Sequence, residues 1–173
     1  GIDINEPTIL ITFHPETVAL EKNIHYVKVL VTALTKLLSK YQLVITMPNA
    51  DTMGNVIRQY LATFIATSDK VYGIENFGTL GYFSCMKYCR FLLGNTSSGI
   101  IEAASFGKYV VNIGNRQKGR ASGENVIHSP INVATILKSV QLIEAAPILG
   151  TKNIYWQSNV ADKIISTIKE LKL

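Results

Sequence analysis

The chain has 173 residues, of which 47% are hydrophobic and 17% are charged. At about 150 residues per domain, this length fits one compact domain and leaves too little for a second full lobe, and the hydrophobic content excludes an intrinsically disordered chain. The net charge of +5 suits a small anionic ligand but falls short of the charge expected of a nucleic-acid-binding domain. No apolar run reaches the roughly 18 residues of a membrane span and no signal peptide opens the sequence, so we expect a soluble cytoplasmic protein.

Short β-rich apolar runs alternate with stretches of helical periodicity along the chain. Thr8 to Phe13 is the first apolar run, and it ends at a His-Pro pair because proline cannot donate to a strand ladder. Asn23 to Lys40 then repeats apolar residues at every third or fourth position, as an amphipathic helix does. The other predicted strands are Leu43 to Met47, Val71 to Ile74, Arg90 to Leu93, Tyr109 to Ile113 and Asn125 to His128. The other predicted helices are Val56 to Thr67, Thr79 to Cys89, Ser98 to Ser105, Val133 to Glu144 and Val160 to Leu171.

This alternation predicts an α/β fold with a doubly wound, Rossmann-like parallel sheet, because parallel strands need crossover helices on both faces. Cys85 and Cys89 are four positions apart in a predicted helix, where we expect small buried side chains rather than a metal site or a disulfide. Tyr155 and Trp156 lie in the least patterned segment, and we expect them to cover an edge of the core. The sequence begins at Gly1 without an initiator methionine, as expected for a piece of a longer protein.

Ligands of open parallel sheets bind beyond the carboxyl ends of the strands. The segment that follows the fourth predicted strand, GNTSSG at 94–99, is the most informative one. Small and hydroxyl residues between a strand and a helix leave backbone N–H groups and the helix dipole facing an anion. Ordinary helix capping by Thr96, Ser97 or Ser98 is the alternative. The next strand is followed by three cations at positions 116, 118 and 120, which favours a ligand with two phosphates.

Glu102 lies one turn into the same predicted helix, where a carboxylate would repel a phosphate. The conflict disappears if Glu102 accepts hydrogen bonds from the vicinal hydroxyls of a ribose, and the ligand is then a nucleotide. A solvated surface charge explains Glu102 equally well. The GxGxxG fingerprint after the first strand and the GxxxxGK[ST] phosphate loop are both absent, which excludes dinucleotide oxidoreductases and phosphate-loop NTPases.

Other polar residues at strand ends indicate a functional site less strongly. His14 follows the first strand and is a candidate for contact with a phosphate or a sugar, although a solvated turn histidine fits its position as well. We interpret Asp51 and Glu75 as turn and cap residues, because no second carboxylate converges on them to form a catalytic pair. His25 and His128 are interpreted as structural.

Two strings, GNTSSGIIEA at 94–103 and VNIGNRQKGR at 111–120, are accompanied in order by TFHP at 12–15, PNAD at 48–51 and GENV at 123–126. Together they resemble the carboxyl-terminal half of the UDP-N-acetylglucosamine 2-epimerases, specifically the hydrolysing branch of sialic-acid-type pathways. The resemblance spans about residues 8 to 128 and implies the second lobe of a glycosyltransferase-B-like fold, whose first lobe this chain lacks.

The resemblance implies a UDP site whose residues follow the nucleotide from one end to the other. They are Asn76 and Phe77 at the uracil, Glu102 at the ribose hydroxyls, Thr96, Ser97 and Ser98 at the diphosphate, Arg116 and Arg120 in the phosphate region, and His14 and Asn49 along the cleft. The catalytic acids and bases of the family lie mainly on the missing lobe, with His14 and Arg116 as the contributors from this one. Neither a cofactor nor a metal is implied.

The reaction implied for the longer protein starts with proton abstraction at C2 and anti elimination of UDP, and water then adds to give N-acetylmannosamine. We expect this lobe by itself to bind UDP weakly, if at all, and to turn nothing over. It does not discriminate between N-acetylglucosamine and the 2,4-diacetamido sugars of related enzymes. A homo-oligomeric longer protein is compatible with the resemblance, whereas nucleic acid and membranes are not expected partners.

Two other functions fit the same residues. The chain is also compatible with the nucleotide lobe of a UDP-sugar glycosyltransferase, which needs the same phosphate site and diol-binding carboxylate. A noncatalytic module, whose basic loop at 116–120 meets an acidic partner or RNA, is the second alternative.

Overall fold

A computed structural model describes residues 1–16, 20–48 and 52–171. Within these residues, six parallel strands form one sheet in the order β3-β2-β1-β4-β5-β6. The strands are β1 (Thr8–Thr12), β2 (Gln42–Thr46), β3 (Val71–Ile74), β4 (Phe91–Gly94), β5 (Val110–Ile113) and β6 (Val126–Ser129). The chain builds outward from β1 to β3 and then crosses back to β4, so the strand order reverses between β1 and β4. This topology confirms the predicted doubly wound parallel sheet.

Helices cover both faces of the sheet. The α-helices are α1 (Asn23–Leu37), α2 (Thr52–Ile65), α3 (Gly78–Tyr88), α4 (Ser97–Ile101), α5 (Val133–Ala145) and α6 (Val160–Glu170). Because side chains alternate along a strand, Ile9 and Ile11 of β1 pack in the larger core cluster, together with residues of α1, α2 and α5. Leu10 packs in the smaller cluster on the opposite face, with Met86 of α3 and Ala103.

The predicted helix from Ser98 to Ser105 is wrong in its extent. Helix α4 ends at Ile101, and a 3-10 turn at Ala103–Phe106 closes on Gly107, which has a φ of +62°. Because β5 begins only three residues after Gly107, the chain has to leave the helix axis quickly, and a tight turn capped by a left-handed glycine allows this.

The carboxyl-terminal region departs further from expectation. Trp156 is 70% exposed and Tyr155 is 39% exposed, so the prediction that they cover an edge of the core is wrong. Helix α6 has nearly the predicted bounds, but every one of its residues is exposed and it covers neither face of the sheet. Its apolar side chains therefore meet solvent in this chain, including Val160, Ile164 and Ile168.

Both cysteines are free thiols. Cys89 is buried as predicted, and its Sγ donates to the carbonyl oxygen of Met86 at 3.3 Å. Cys85 is only partly buried. Burial raises the pKa of the Cys85 thiol to about 11 and that of Cys89 to about 12, so both are protonated at neutral pH. Among the described residues, no helix has both the length and the apolarity needed to cross a bilayer.

Candidate functional site

The candidate site lies where β1 and β4 end side by side. Gly94 ends β4 with a φ of +146°, and a Cβ atom at this position would lie 1.9 Å from the carbonyl oxygen of Thr12. Only glycine permits this approach. The backbone N–H of Asn95 then donates to that same Thr12 oxygen at 3.0 Å. The loop after β1 and the turn into α4 are therefore held next to each other.

The turn into α4 is capped by a hydroxyl. Thr96 has an extended backbone, and its Oγ1 accepts from the backbone N–H of Ser98 at 3.4 Å. The same Oγ1 lies 3.3 Å from the Ser98 hydroxyl. Thr96 therefore does cap the helix, as the capping alternative holds, but this bond is long for an N–H···O hydrogen bond and engages the Thr96 hydroxyl only weakly. Ser97 opens the helix and is half-buried.

A cavity of about 510 Å³, here called the α3–α4 cavity, opens beside this turn. It collects six of the predicted site residues in one place. They are His14, Asn76, Phe77, Thr96, Ser98 and Glu102. The sheet order explains this convergence, because the ends of β1, β3 and β4 supply the loops that carry these residues. Asn49 lies outside the described residues.

Glu102 has an unusual environment in this cavity. Its Oε2 is buried and has no hydrogen-bond partner among the described residues. Burial raises the pKa of the Glu102 carboxyl, because desolvation disfavours the charged form. Glu75 lines the same cavity but pairs with Arg58 at 2.6 Å. Glu102 is therefore the carboxylate in this wall that still lacks a donor, and a buried acceptor without one costs free energy.

Hydroxyl groups line the cavity beside Glu102. The Tyr82 hydroxyl of α3 bonds to the Ser98 hydroxyl, and Thr12 and Thr46 share a hydrogen bond of 2.7 Å. Burial raises the pKa of Tyr82, so its hydroxyl keeps its proton. Sequence reasoning missed Tyr82, because an aromatic residue within a predicted helix is read first as part of the core.

Asn76 and Phe77 stand at the start of α3. The Asn76 Oδ1 accepts from the backbone N–H of Gly78 at 2.7 Å, so this oxygen is used to begin the helix. Phe77 is partly buried and packs against the smaller core cluster. The structure therefore brings both predicted residues to the cavity wall and gives the Asn76 oxygen a local role as well.

Arg116 reaches the turn from the neighbouring loop. Its Nη1 donates to the carbonyl oxygen of Asn95 at 3.0 Å, and the Gln117 Nε2 donates to the same oxygen at 2.8 Å. Burial lowers the pKa of the Arg116 guanidinium, and the nearby charge of Arg120 lowers it further, whereas Glu16 raises it. The Arg116 guanidinium thus lies directly before α4.

Arg120 is near enough to Arg116 to lower its pKa, but it does not line the α3–α4 cavity. It is exposed and lines a second cavity of about 650 Å³, here called the β5–β6 cavity, together with Lys118. Glu16, which sequence reasoning left without a role, lines this cavity too, and its Oε1 accepts from the backbone N–H of Asn115 at 2.9 Å. Gly114, at a φ of +76°, makes room for that carboxylate, since a Cβ atom there would lie 2.6 Å from Oε1.

Two further observations bear on the chemistry. Both ring nitrogens of His128 lie within hydrogen-bond distance of side chains, at 3.0 Å from Asn112 and 3.2 Å from Ser122, which matches its interpretation as structural. Within residues 1–16, 20–48 and 52–171, no three or more His, Cys, Asp and Glu side chains cluster as metal ligands.

Residues 2–169 match the family described as UDP-N-acetylglucosamine 2-epimerase. The chain belongs to this family. It is 30% identical over 174 residues to the UDP-N,N'-diacetylbacillosamine 2-epimerase (hydrolyzing) of Legionella pneumophila, a match that covers 100% of the chain and 45% of that protein. It is 36% identical over 130 residues to the GDP/UDP-N,N'-diacetylbacillosamine 2-epimerase (hydrolyzing) of Campylobacter jejuni, covering 75% of the chain and 34% of that protein.

The fold matches a solved member of the same family. The crystal structure of UDP-GlcNAc 2-epimerase from Neisseria meningitidis, bound to UDP-GlcNAc, superimposes with a TM-score of 0.77 at 19% identity, covering 98% of the chain and 46% of that protein. The predicted glycosyltransferase-B-like lobe is thereby confirmed at the level of the fold. The chain spans less than half the length of the relatives that it matches.

Proposed function

We propose that this chain is the UDP-binding lobe of a hydrolysing UDP-sugar 2-epimerase. The observation that carries the proposal is Glu102, which lines a cavity rich in hydroxyls and whose buried Oε2 lacks a donor among the described residues. A ribose offers two vicinal hydroxyl donors, which would satisfy this oxygen and offset the cost of its desolvation.

With the ribose at Glu102, the positions of the uracil and the diphosphate follow from the covalent structure of the nucleotide. The uracil lies at the mouth of the α3–α4 cavity, against Phe77 and the amide of Asn76. The diphosphate extends over the turn that Thr96 caps, within reach of the Arg116 guanidinium. An arginine beside a diphosphate forms charge-assisted hydrogen bonds, which are about twice as strong as neutral ones.

The proposed reaction removes UDP by elimination and then adds water. A base takes the C2 proton, the bond between C1 and the UDP oxygen breaks, and a C1–C2 double bond forms. Water then supplies a hydroxyl to C1 and a proton to C2, which gives the epimerised free sugar and UDP. Negative charge grows on the diphosphate as it leaves, and Arg116 stabilises that charge.

The acid and base groups belong mainly to the part of the protein that this chain lacks, with His14 contributing from the cleft side. The names of the Legionella and Campylobacter relatives support a 2,4-diacetamido sugar as the substrate, while N-acetylglucosamine agrees with the family description. A cytoplasmic location and a homo-oligomeric longer protein remain predictions.

Titration of the ¹⁵N-labelled chain with UDP at millimolar concentrations tests the binding part of the proposal. NMR detects weak binding, and we expect shifts at residues 76–82 and 94–102. No shifts at all, combined with RNA binding that weakens steeply with salt, would instead support the noncatalytic module. Release of N-acetylmannosamine or its 4-acetamido analogue by the longer protein, without any acceptor, tests the reaction, since a glycosyltransferase would require an acceptor.

A further inference from the structure

Asn95 is completely buried between β4 and α4, and its side chain forms two hydrogen bonds with the loop that follows β1. The backbone N–H of His14 donates to the Asn95 Oδ1 at 2.7 Å, and the Asn95 Nδ2 donates to the carbonyl oxygen of His14 at 2.8 Å. A side-chain amide is needed for this pair of bonds, because it carries a donor and an acceptor side by side.

The main chain of Asn95 is tied to two other places. Its N–H donates to the Thr12 oxygen at 3.0 Å, and its carbonyl oxygen accepts from both Arg116 and Gln117. One buried residue therefore connects the loop after β1, the turn into α4 and the loop after β5. These three segments carry His14, the capping hydroxyls and Arg116.

We propose that Asn95 is a positioning residue that sets the His14 loop relative to the α4 turn and to Arg116, so that these groups converge on the diphosphate end of a bound UDP-sugar. The inference rests on the proposed function. Asn95 itself is too deeply buried to touch the ligand, since it has no exposed surface. Its effect on binding passes through His14 and through the carbonyl oxygen that holds Arg116.

The amide pair is more than a way to satisfy a buried side chain. Asn125 is also buried, and its Nδ2 donates to the Lys108 carbonyl oxygen, but Lys108 lines neither cavity. Loss of either asparagine removes buried hydrogen bonds and lowers stability by a similar mechanism. Only the loss of Asn95 releases a loop of the site, which makes Asn125→Ala a matched control.

The experiment compares Asn95→Ala with Asn125→Ala in the ¹⁵N-labelled chain, with UDP and uridine as separate probes. Removing the Asn95 amide should weaken UDP about tenfold, the loss expected for about 1.4 kcal/mol. Uridine should lose much less affinity than UDP, because the Asn95 side chain forms its hydrogen bonds with His14 and not with Asn76, Phe77 or Glu102, the residues proposed to hold the nucleoside. The His14 amide should exchange with solvent at least about ten times faster, whereas Asn125→Ala should change neither affinity nor exchange.

Equal losses for UDP and uridine, or equal losses in the two variants, would overturn the positioning role. If Asn95→Ala does not fold, Asn95→Asp replaces it, since Asp keeps the acceptor for the His14 N–H and lacks the donor. Its His14 amide should stay protected while UDP still weakens relative to uridine. A failure of the proposed function is distinguishable, because the parent chain would then show no UDP shifts, while the His14 exchange rates would still report on the amide pair.

Discussion

The two cavities at the carboxyl edge of the sheet differ in charge. The α3–α4 cavity has no lysine or arginine among its described lining residues, and its distinctive groups are the Glu102 carboxylate and hydroxyls such as that of Tyr82. The β5–β6 cavity is lined by Lys118 and Arg120 and by one carboxylate, Glu16, which is already bonded to the backbone. Arg116 lines neither cavity, and its guanidinium donates to the carbonyl oxygen of Asn95, directly before α4. If the chain binds a nucleotide as proposed, this difference favours the neutral diol in the first cavity and the anionic phosphates on the cationic side.

Replacing Glu102 by Gln gives the sharpest test of this comparison and the largest expected effect. A hydrogen bond to a charged group contributes about 1.5–3 kcal/mol, so UDP affinity should fall about 10- to 150-fold. Calorimetry with UDP and 2'-deoxy-UDP measures the change in affinity. The parent chain should bind UDP more tightly than 2'-deoxy-UDP, whereas the Gln variant should bind the two ligands equally. Equal affinities of parent and variant would show that the ribose does not meet Glu102.

Substitution of Arg116 should lower the affinity for UDP more than substitution of Arg120. Arg116→Ala should weaken UDP by more than about 1 kcal/mol, or roughly fivefold, because it removes a charge beside the diphosphate. Arg120→Ala should have a smaller effect on UDP, since Arg120 lines the other cavity. Lys163→Ala on the exposed helix α6 is the control and should leave the affinity unchanged. Equal effects of all three substitutions would mean that only the net charge of the chain matters.

Tyr82→Phe removes one hydroxyl and keeps the ring. Because the hydroxyl bonds to Ser98 rather than to a charged group, its loss should weaken UDP only about two- to fivefold, in line with about 0.5–1 kcal/mol for a neutral hydrogen bond. The NMR titration measures this change. A loss as large as that of Glu102→Gln would place Tyr82 itself on the ribose.

The smallest effect concerns stability and its pH dependence. Folding raises the pKa of Glu102, so the protonated carboxyl contributes stability below its unfolded-state pKa, and this contribution is lost as pH rises through the raised value. At pH 7 the Gln variant avoids the cost of a desolvated charge, and at pH 4 both side chains are largely neutral. Thermal unfolding should therefore favour the variant more at pH 7 than at pH 4. A difference that is the same at both pH values would contradict the burial of this charge.

Much of the fold could be predicted locally, whereas part of the site could not. The bounds of β1, β5 and α5 each differ from the predicted ones by one residue at one end only, because strand and helix periodicity record which side of the backbone is buried. Helix α6 shows that periodicity does not predict whether a helix packs against the sheet. Its apolar spacing resembles that of α5, yet α5 buries Ile136 and Val140 and α6 buries nothing. An amphipathic pattern indicates that a face needs a partner but does not place that partner.

The amino-acid sequence by itself determined the alternation of strands and helices and the polar chemistry at the strand ends, because both depend on neighbours within a few residues. Only the tertiary structure decided that Glu102 and His14 share a cavity while Arg120 lines another, and that Asn95 connects three loops. These relations depend on the order of strands in the sheet, which brings together residues up to about a hundred positions apart, as in the hydrogen bond between Glu16 and Asn115. Contacts of that range leave no periodic trace in the sequence.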